Sequence, residues 1–464
     1  MKINTNIKNK LTNKKKTKKN NSITMTKTKN VKIKNYKSKK KSLIKEIKVN
    51  KPKSIQEVGF RHEEQVRIIQ NIQDAYLPLQ CKLLFDLEDL CPTCGNKIRK
   101  NGIHTVSFHS SLSDHKIKAQ GYSCGCGWQS RPTIHGEFGT NVHPDLVKIQ
   151  ATLGAKMPYK DAQLAMKEFN CNNRSVNNHV KIAEATNKIG SILHAIKLEE
   201  EITVTKESEN LYLHVDGGHI RDKKQDKRSF EAIVATVFKP ESYRKINEDK
   251  NVIESKHVAS SALDDRGKTI NILTLKAAQK EGLSKNTTLT AFCDGAANCW
   301  SVVDALVPYC KEVTKILDWF HIRQAYDKAM IALPEYVEQL RSSKYKVWHG
   351  KAIEAISKLE ELKNDLVSKD YIDSKIERVR SIISYLSNNL DKLVNYMTRK
   401  NNDLPYTSNV AEANVESQIN ARFKRKQKMQ WNRQNAHNVL QLRSTIYSDE
   451  WTKYQSNVDL KLAA

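Results

Sequence analysis

Apolar residues along the chain follow two spacings, which divide it into helical and strand-rich regions. At 62–80 and over 143–195 they recur every three to four positions, the spacing of amphipathic helices. Between 202 and 317 they form short continuous runs, which are typical of buried strands. These runs predict, in order, strands at 211–216, 231–238 and 252–262, a helix at 270–281, a strand at 288–293, a helix at 297–309 and a strand at 313–317.

Three successive strands followed by alternating helices and strands give the element order of a ribonuclease-H-like mixed sheet. Residues 322–400 then predict long helices rich in Lys, Glu and Leu, which interrupt this fold before a final helix at about 409–424. We therefore expect a multidomain α/β protein whose mixed sheet carries a helical insertion.

Two close cysteine pairs precede the strand-rich region: Cys91 with Cys94, and Cys124 with Cys126. Each pair lies in a turn that contains Gly, and a β-like run at 105–108 separates the pairs. Because thiolates need tight turns to reach one tetrahedral ion, the pattern predicts a zinc ribbon with a structural Zn²⁺. The second pair has a gap of one residue where two are usual, and unpaired core cysteines are the alternative. Nine cysteines, an odd number, favour a reducing compartment.

Between the cysteines and the strands, three helices with a polar turn at 170–173 resemble a helix-turn-helix. Polar residues at and near the start of the third helix are the candidates for facing a DNA groove: Arg174, Ser175, Asn177, Asn178 and Lys181. An ordinary helical bundle without DNA contacts is the alternative interpretation.

The positive charge of the chain is concentrated at its N-terminus. The formal net charge is +28, and residues 1–50 contain 18 Lys, no Arg and the single acid Glu46. Such a segment has too few apolar residues to fold alone, so we expect a disordered basic arm that attracts nucleic acid. An AT-rich genome, which favours Lys and Asn codons, is the alternative explanation. No apolar run is long enough for a membrane span or a signal peptide, which predicts an intracellular, soluble protein.

Carboxylates stand at the ends of the predicted strands. Asp216 and Asp294 each end an apolar run and precede Gly, and Asp318 follows the run at 313–317. The rim of an α/β sheet is where such proteins place their chemistry, and converging carboxylates can hold divalent metal ions suited to phosphoryl transfer. A third acid is available from Glu412 or Glu416, which lie on one face of the final helix. Glu412 is favoured, although it could instead form a capping box with Asn409.

The order of these motifs resembles a known family. Asp216, Asp294, the Asp318-Trp-Phe-His321 step and the Ser408-to-Glu412 block are similar to bacterial insertion-sequence transposases of the DDE class. The closest group is ISKra, which carries an N-terminal zinc ribbon, and the Asp-x-x-His step is also similar to that of Mutator-like transposases. The resemblance covers about residues 85–447.

The resemblance implies that Asp216, Asp294 and Glu412 bind two Mg²⁺ or Mn²⁺ ions and catalyse DNA nicking followed by strand transfer. Asp318 and His321 would shape the site or contact DNA, and packing is an equal alternative for His321. Double-stranded DNA would be the partner of a homo-oligomer associated with the bacterial nucleoid in the cytoplasm. The basic residues that would lie along a phosphate backbone are Arg422, Lys424, Arg425 and Lys426.

Two other functions remain open from the sequence. One is a metal-dependent DNA nuclease of the same fold, and the other is a non-catalytic DNA-binding regulator derived from a transposase. The expected segments are a basic arm (1–55), an N-terminal helix with the zinc ribbon (56–140), a helical DNA-binding region (141–200), the first part of the catalytic core (201–325), a helical insertion (326–405), the final catalytic helix (406–447) and a tail (448–464).

Overall fold

The computed structural model has two compact units, Met1–Ile68 and Ile69–Ala464. It describes residues 29–31, 47–49, 58–85, 89–224, 228–245, 251–407, 416–424 and 429–463. In the first unit, strands β1 (Lys29–Val31) and β2 (Ile47–Val49) pair antiparallel. The rest of the predicted basic arm lies outside the described residues, where its disorder stays a prediction.

A β-hairpin carries both cysteine pairs at its open end, one pair before its first strand and the other after its second. Helix α1 (His62–Phe85) precedes the hairpin of β3 (Arg99–His109) and β4 (Asp114–Ser123). Alternate residues of the hairpin, among them Val106 and Ile117, are buried against the C-terminal part of α1. The period of two thus gives the hairpin one apolar face, which α1 covers.

Four helices follow the hairpin, and the last three of them form a separate small core. They are α2 (Ile134–Phe138), α3 (Pro144–Lys156), α4 (Tyr159–Asn170) and α5 (His179–Glu199). Pro144 begins α3 at a position where its missing N–H costs nothing, and Asn178 caps α5 by accepting from the amides of Val180 and Lys181. Cys171, in the left-handed conformation at φ 56°, ends α4 and gives the sharp turn predicted from the polar residues.

The central sheet has five strands, and the predicted α/β class with a mixed sheet is confirmed. Its order is β11-β10-β5-β6-β9, with β5, β10 and β11 parallel to one another and β6 antiparallel to both of its neighbours. The strands are β5 (Asn210–Arg221), β6 (Ser229–Phe238), β9 (His257–Ser261), β10 (Thr288–Cys293) and β11 (Glu312–Leu317). Helices α6 (Lys268–Lys280) and α7 (Ala297–Asp304) connect the later strands.

Two of the predicted strand boundaries were wrong. Strand β5 does not end at Asp216 but continues to Arg221, because its second half pairs with β6 alone in a long hairpin. The single strand expected at 252–262 is divided: β8 (Asn251–Ile253) pairs with β7 (Tyr243–Lys245), and only β9 joins the central sheet.

The predicted insertion consists of helices that share the core of the sheet. They are α8 (Trp319–Ala332), α9 (Val337–Trp348), α10 (Ala352–Ser368), α11 (Asp373–Ser387) and α12 (Tyr396–Asn401). Buried leucines of α10 and buried isoleucines of α11 belong to the same apolar cluster as β5, β10 and β11. The hydroxyl of Tyr396 donates to the carbonyl of Leu317, 2.7 Å away, at the end of β11.

Three helical segments complete the second unit. A π-helix (Glu416–Lys424) lies on the sheet, followed by α13 (Arg433–Tyr447) and α14 (Trp451–Ala463). Residues 448–464, predicted as a tail, therefore contain a helix, because Tyr454, Val458 and Leu462 recur every four positions and pack on α3 and α5. In the described part of the chain, none of the helices combines the length and apolar character needed to cross a bilayer.

Candidate functional site

Three aspartates lie at the same level on three neighbouring parallel strands. Cys293 of β10 is paired in register with Val215 of β5 and with Leu317 of β11. The residue that follows each of these three is an aspartate: Asp216 within β5, Asp294 directly after β10 and Asp318 directly after β11. Because residues in register on parallel strands project from the same face, the three carboxylates line one face at the carboxyl edge of the parallel strands.

Backbone amides hold one oxygen of each carboxylate. Oδ1 of Asp216 accepts from the amide of Gly217 at 2.7 Å, and Oδ1 of Asp294 accepts from the amide of Ala296 at 2.9 Å. Asp216 and Asp294 are both partly exposed. Both side chains are therefore fixed in orientation and within reach of a ligand from solvent.

Asp318 differs from the other two aspartates in its burial. It is 1% exposed and caps α8, since Oδ1 accepts from the amide of Phe320 at 3.1 Å. Nε2 of His321 lies 3.6 Å from Oδ2 of Asp318. The structure therefore sets His321 beside the carboxylate face, one helical turn into α8.

The negative charges on this face act on one another. Burial raises the pKa of the Asp216 carboxyl to about 6; the nearby His321 opposes this shift, and the negative charges of Asp294 and Asp318 add to it. Burial, with the charges of Asp294, Asp216 and Asp318, also raises the pKa of the Cys293 thiol well above its usual value. The face is thus a region of negative potential that a cation would neutralise.

The raised pKa predicts that Asp216 destabilises the metal-free fold at neutral pH. Its stabilising contribution is fully present below the unfolded pKa, 3.8, and is lost as the pH rises through about 6. We expect Asp216→Asn to raise the free energy of unfolding at pH 7 by about 1 to 3 kcal/mol, with chelator present. Denaturant unfolding at pH 7 and pH 4 measures this gain, which should fall below about 1 kcal/mol at pH 4. An equal gain at both pH values would contradict the interpretation.

The π-helix crosses the same face next to Asp216. Gly218 lies two residues beyond Asp216 on β5, and a Cβ at this position would be 2.7 Å from Cδ1 of Ile419. Gly218 therefore allows close approach of the π-helix to β5. Glu416 is the first residue of this helix, but its side chain and all of Glu412 lie outside the described residues.

The Gly after Asp294 also serves a packing role. Gly295 has φ 101°, and a Cβ there would be 2.8 Å from Cε2 of Tyr385 and 3.1 Å from Nδ2 of Asn389. The hydroxyl of Tyr385 donates to the carbonyl of Asp294 at 2.7 Å. Helix α11 of the insertion thus fixes the loop that carries Asp294, a contact that no local motif in the sequence indicated.

Two buried arginines, Arg422 and Arg443, join the π-helix to α3. Arg443 of α13 donates to the carbonyls of Ser417, Gln418 and Ala155. Side-chain donors on helical carbonyls are a recognised cause of irregular helix geometry, which accounts for the π-helix here. Sequence reasoning missed Arg443, because nothing near it in the chain marks these distant acceptors.

Arg422, predicted to contact DNA, is buried, so this prediction was wrong. Its exposed fraction is 0%, its Nε donates to the carbonyl of Gly154 at 2.9 Å, and its guanidinium stacks 4.7 Å from the rings of both Tyr159 and Trp431. Trp431 is accordingly a core residue. Among the other basic candidates of this segment, Lys424 is exposed, and Arg425 and Lys426 lie outside the described residues.

Two of the groove-facing candidates of the helical region are also buried. Arg174 is 4% exposed and forms an ion pair of 2.6 Å with Asp114, while its guanidinium donates to carbonyls in the turn of the β3–β4 hairpin. Asn177 is 2% exposed and donates to Oδ1 of Asn170. The expectation that they face DNA was wrong, because they attach the helical region to the hairpin and close the α4–α5 turn.

The remaining candidates of this region border a groove. Asn178 is half-buried as the cap of α5, whereas Ser175 and Lys181 are exposed. All three line a groove of about 510 Å³, together with Lys188 of α5 and His109 at the end of β3. This groove is open and runs along the N-terminal half of α5, and Glu184, which forms an ion pair of 2.7 Å with Lys181, also lines it.

The four cysteines of the two pairs converge on one point. Sγ of Cys91 lies 3.7 Å from Sγ of Cys126, Sγ of Cys94 lies 3.5 Å from Sγ of Cys124, and all four sulfurs lie within 4.8 Å of one another. The short gap between Cys124 and Cys126 therefore does not prevent the four from meeting. This cluster could hold a structural metal ion such as zinc.

Hydrogen bonds prepare Cys91 for a metal ion. Burial alone would raise the pKa of its thiol, but bonds from the backbone of Thr93 and Cys94 and from the Cys126 side chain lower it to about 6. Over the ranges that the structure describes, no other three ligand side chains approach within 4.8 Å, and this includes the aspartates of the sheet.

Comparison of the chain with models of known protein families and with curated proteins finds no match.

Proposed function

We propose that this protein is a DNA transposase that nicks the ends of a mobile element and joins them to target DNA. The observation that carries the proposal is the alignment of Asp216, Asp294 and Asp318 on one face of three parallel strands. The π-helix, which continues the segment of Glu412 and Glu416, crosses that same face at Gly218. An antiparallel β-meander extended by two parallel strands is also the arrangement expected of a ribonuclease-H-like sheet.

The residues fit divalent metal ions of the Mg²⁺ type. Carboxylate oxygens are the ligands that Mg²⁺ and Mn²⁺ prefer. Burial raises the pKa of Asp216, His321 opposes the rise, and the negative charges of Asp294 and Asp318 add to it, so a bound cation would relieve part of this cost. Asp216 and Asp294 would hold two ions, with Glu412 as the third protein ligand. When bound, such ions activate water or a 3′ hydroxyl and stabilise the leaving oxygen of the scissile phosphate.

The chain's own residues would position the metal ligands and the DNA. The amides of Gly217 and Ala296 fix the orientation of Asp216 and Asp294, and Tyr385 holds the Asp294 loop. His321, about a quarter exposed beside this face, is available to donate a hydrogen bond to a phosphate oxygen. Arg443 would hold the π-helix so that the third carboxylate approaches the other two.

Double-stranded DNA would bind at the groove of α5 and along the basic residues near Lys424. Ser175, Lys181 and Lys188 border this groove, and lysines of this kind bind phosphates independently of base sequence. With a net charge of +28 on the chain, we expect binding that weakens steeply with salt. We further propose a homo-oligomer on DNA in the bacterial cytoplasm, associated with the nucleoid.

We propose that the cysteine cluster holds structural Zn²⁺, and Cys124→Ser tests this. We expect about one zinc ion per wild-type chain and at least tenfold weaker retention in the variant, because three thiolates hold zinc less well than four. Protease digestion should also cut the β3–β4 hairpin faster in the variant. Zinc content and cleavage rate are the measurements, with Cys171→Ser, an exposed cysteine outside the cluster, as the matched control. Equal zinc retention in both variants would contradict the assignment.

Strand transfer distinguishes the proposed transposase from a nuclease of the same fold. The protein is incubated with Mg²⁺, a target plasmid and labelled DNA that ends in a pre-nicked terminus of the element. A transposase joins the labelled strand to the plasmid, whereas a nuclease releases fragments and a DNA-binding regulator leaves both DNAs intact. If un-nicked ends are cleaved efficiently but no joined product forms, the protein is a nuclease and the proposal of a transposase is wrong.

A further inference from the structure

Helix α1 has two apolar faces, and only one of them is packed in the second unit. Cys81 and Phe85 are buried against the β3–β4 hairpin, and Leu77 packs beside them. On the same side, Oδ1 of Asp74 lies 2.6 Å from Nδ1 of the buried His115. This face therefore holds the C-terminal part of α1 against the β3–β4 hairpin.

The opposite face of α1 is an exposed row of large apolar side chains, which we name the α1 stripe. Exposed fractions range from 42% to 81%, far above those of the packed face. The members of the stripe are Ile69 (42%), Ile72 (46%), Tyr76 (57%), Leu79 (53%) and Leu83 (81%).

The spacing of the α1 stripe is that of a coiled-coil seam. Its members follow one another at intervals of three, four, three and four residues, the a and d positions of a heptad repeat. At 100° per residue they fall within a narrow band of the helix surface, roughly opposite the packed residues. Pro78 lies away from this band, so its ring does not obstruct the seam.

The surroundings of the α1 stripe carry almost no charge. Between Ile69 and Leu83 the only charged residues are Asp74, which is engaged by His115, and Lys82. The positions that flank the seam are Gln73, Ala75, Gln80 and Lys82, so each helix brings one charge to the edge of the seam. Although the chain has a net charge of +28, the α1 stripe has too few basic residues nearby to bind phosphates. For the same reason, two copies of the stripe would not repel each other.

We propose that the α1 stripe is a dimerisation surface that packs against the α1 stripe of a second copy of this chain. A narrow heptad seam fits another helix with the same repeat, and an identical helix provides that repeat. Tyr76 is the central member of the stripe, so a symmetric pairing brings the two Tyr76 side chains together. Two such stripes bury on the order of 1,000 Å², the lower end for a specific interface, so we expect a dimer weak enough for its dissociation to be followed by dilution.

The test measures the mass of the full-length protein in solution. Nuclease-treated protein in high salt, free of DNA, is analysed by gel filtration with light scattering over a micromolar concentration range. The variant Ile72→Glu/Leu79→Glu puts two charges into the seam at exposed positions. The control Ile331→Glu/Ile353→Glu changes two other exposed isoleucines, 82% and 74% exposed, in the helical insertion.

We expect a concentration-dependent dimer for the wild type and the control, and at least tenfold weaker dimerisation for Ile72→Glu/Leu79→Glu. Zinc content and circular dichroism equal to the wild type show that the variant is folded. A wild type that stays monomeric throughout the range would overturn the proposal. So would a seam variant that dimerises like the wild type, or a control that loses the dimer equally. None of these outcomes depends on catalytic activity.

Discussion

Replacing Asp294 by Asn should reduce Mg²⁺-dependent DNA cleavage at least 100-fold. Asp294 and Asp216 are the two partly exposed carboxylates of the aligned face, and the amide of Ala296 holds Asp294 in place. Loss of a partner outside the first coordination shell typically costs about 10- to 100-fold, so loss of a direct ligand should cost more. Asparagine preserves the size of the side chain and removes only its charge. Cleavage of DNA with labelled element ends, under single-turnover conditions, measures the effect, and Asp216→Asn should behave in the same way.

The matched control for this prediction is Asp264→Asn, which neutralises an aspartate whose side chain is 75% exposed and lies outside the aligned face. It should cleave at the wild-type rate. DNA affinity in EDTA should be unchanged in all three variants, because the aligned carboxylates would act on the metal ions and not on phosphates directly. A cleavage rate of Asp294→Asn within tenfold of the wild-type rate would show that Asp294 does not hold a catalytic metal ion.

Neutralising the third metal-binding carboxylate should reduce DNA cleavage as much as Asp294→Asn does. Only one of the two candidates, Glu412 and Glu416, should show this loss. We expect Glu412→Gln to lose cleavage at least 100-fold and Glu416→Gln to stay within about fivefold of the wild type. We expect only one of the two side chains to reach the metal ions. Glu412 is favoured because it lies nearer the start of the helix, the end that would face the edge of the sheet. The two variants control for each other, since both neutralise an acid of the same segment.

The opposite result, with Glu416→Gln inactive and Glu412→Gln active, would transfer the role to Glu416 and leave the reaction unchanged. Full activity of both variants would mean that this segment contributes no metal ligand. That outcome would contradict the proposed reaction, because Asp216 and Asp294 would then lack their partner. Single-turnover cleavage at two Mn²⁺ concentrations also separates weak metal binding, which excess metal rescues, from loss of the reaction itself.

The aligned carboxylates could be predicted from the sequence because their placement depends on local patterns. Apolar runs of strand length precede Asp294 and Asp318, and parallel pairing of consecutive strands then brings their ends to one edge. Asp216 lies beside Asp294 although β5 continues to Arg221, because β10 pairs only with the first half of β5, which ends just before Asp216. The cysteine pairs could be predicted for a similar reason, because each lies in its own tight turn.

The buried arginines could not be predicted, because their partners lie far away in the chain. A polar turn and a basic run both suggest surface residues, yet Arg174 binds Asp114 of the hairpin and Arg422 stacks between two aromatic rings. A buried guanidinium needs several acceptors or ring faces, and only the tertiary fold supplies them. The same is true of Arg443 and of Tyr385, which hold the π-helix and the Asp294 loop from distant helices.

Binding of Mn²⁺ tests most directly whether the aligned carboxylates form a metal centre. Electron paramagnetic resonance counts bound Mn²⁺ during a titration of the zinc-loaded protein, with and without DNA. We predict two ions per wild-type chain in the presence of DNA and at least 100-fold weaker binding by the double variant Asp216→Asn/Asp294→Asn. If the double variant binds as many ions as the wild type with the same affinity, this face of the sheet is not a metal centre.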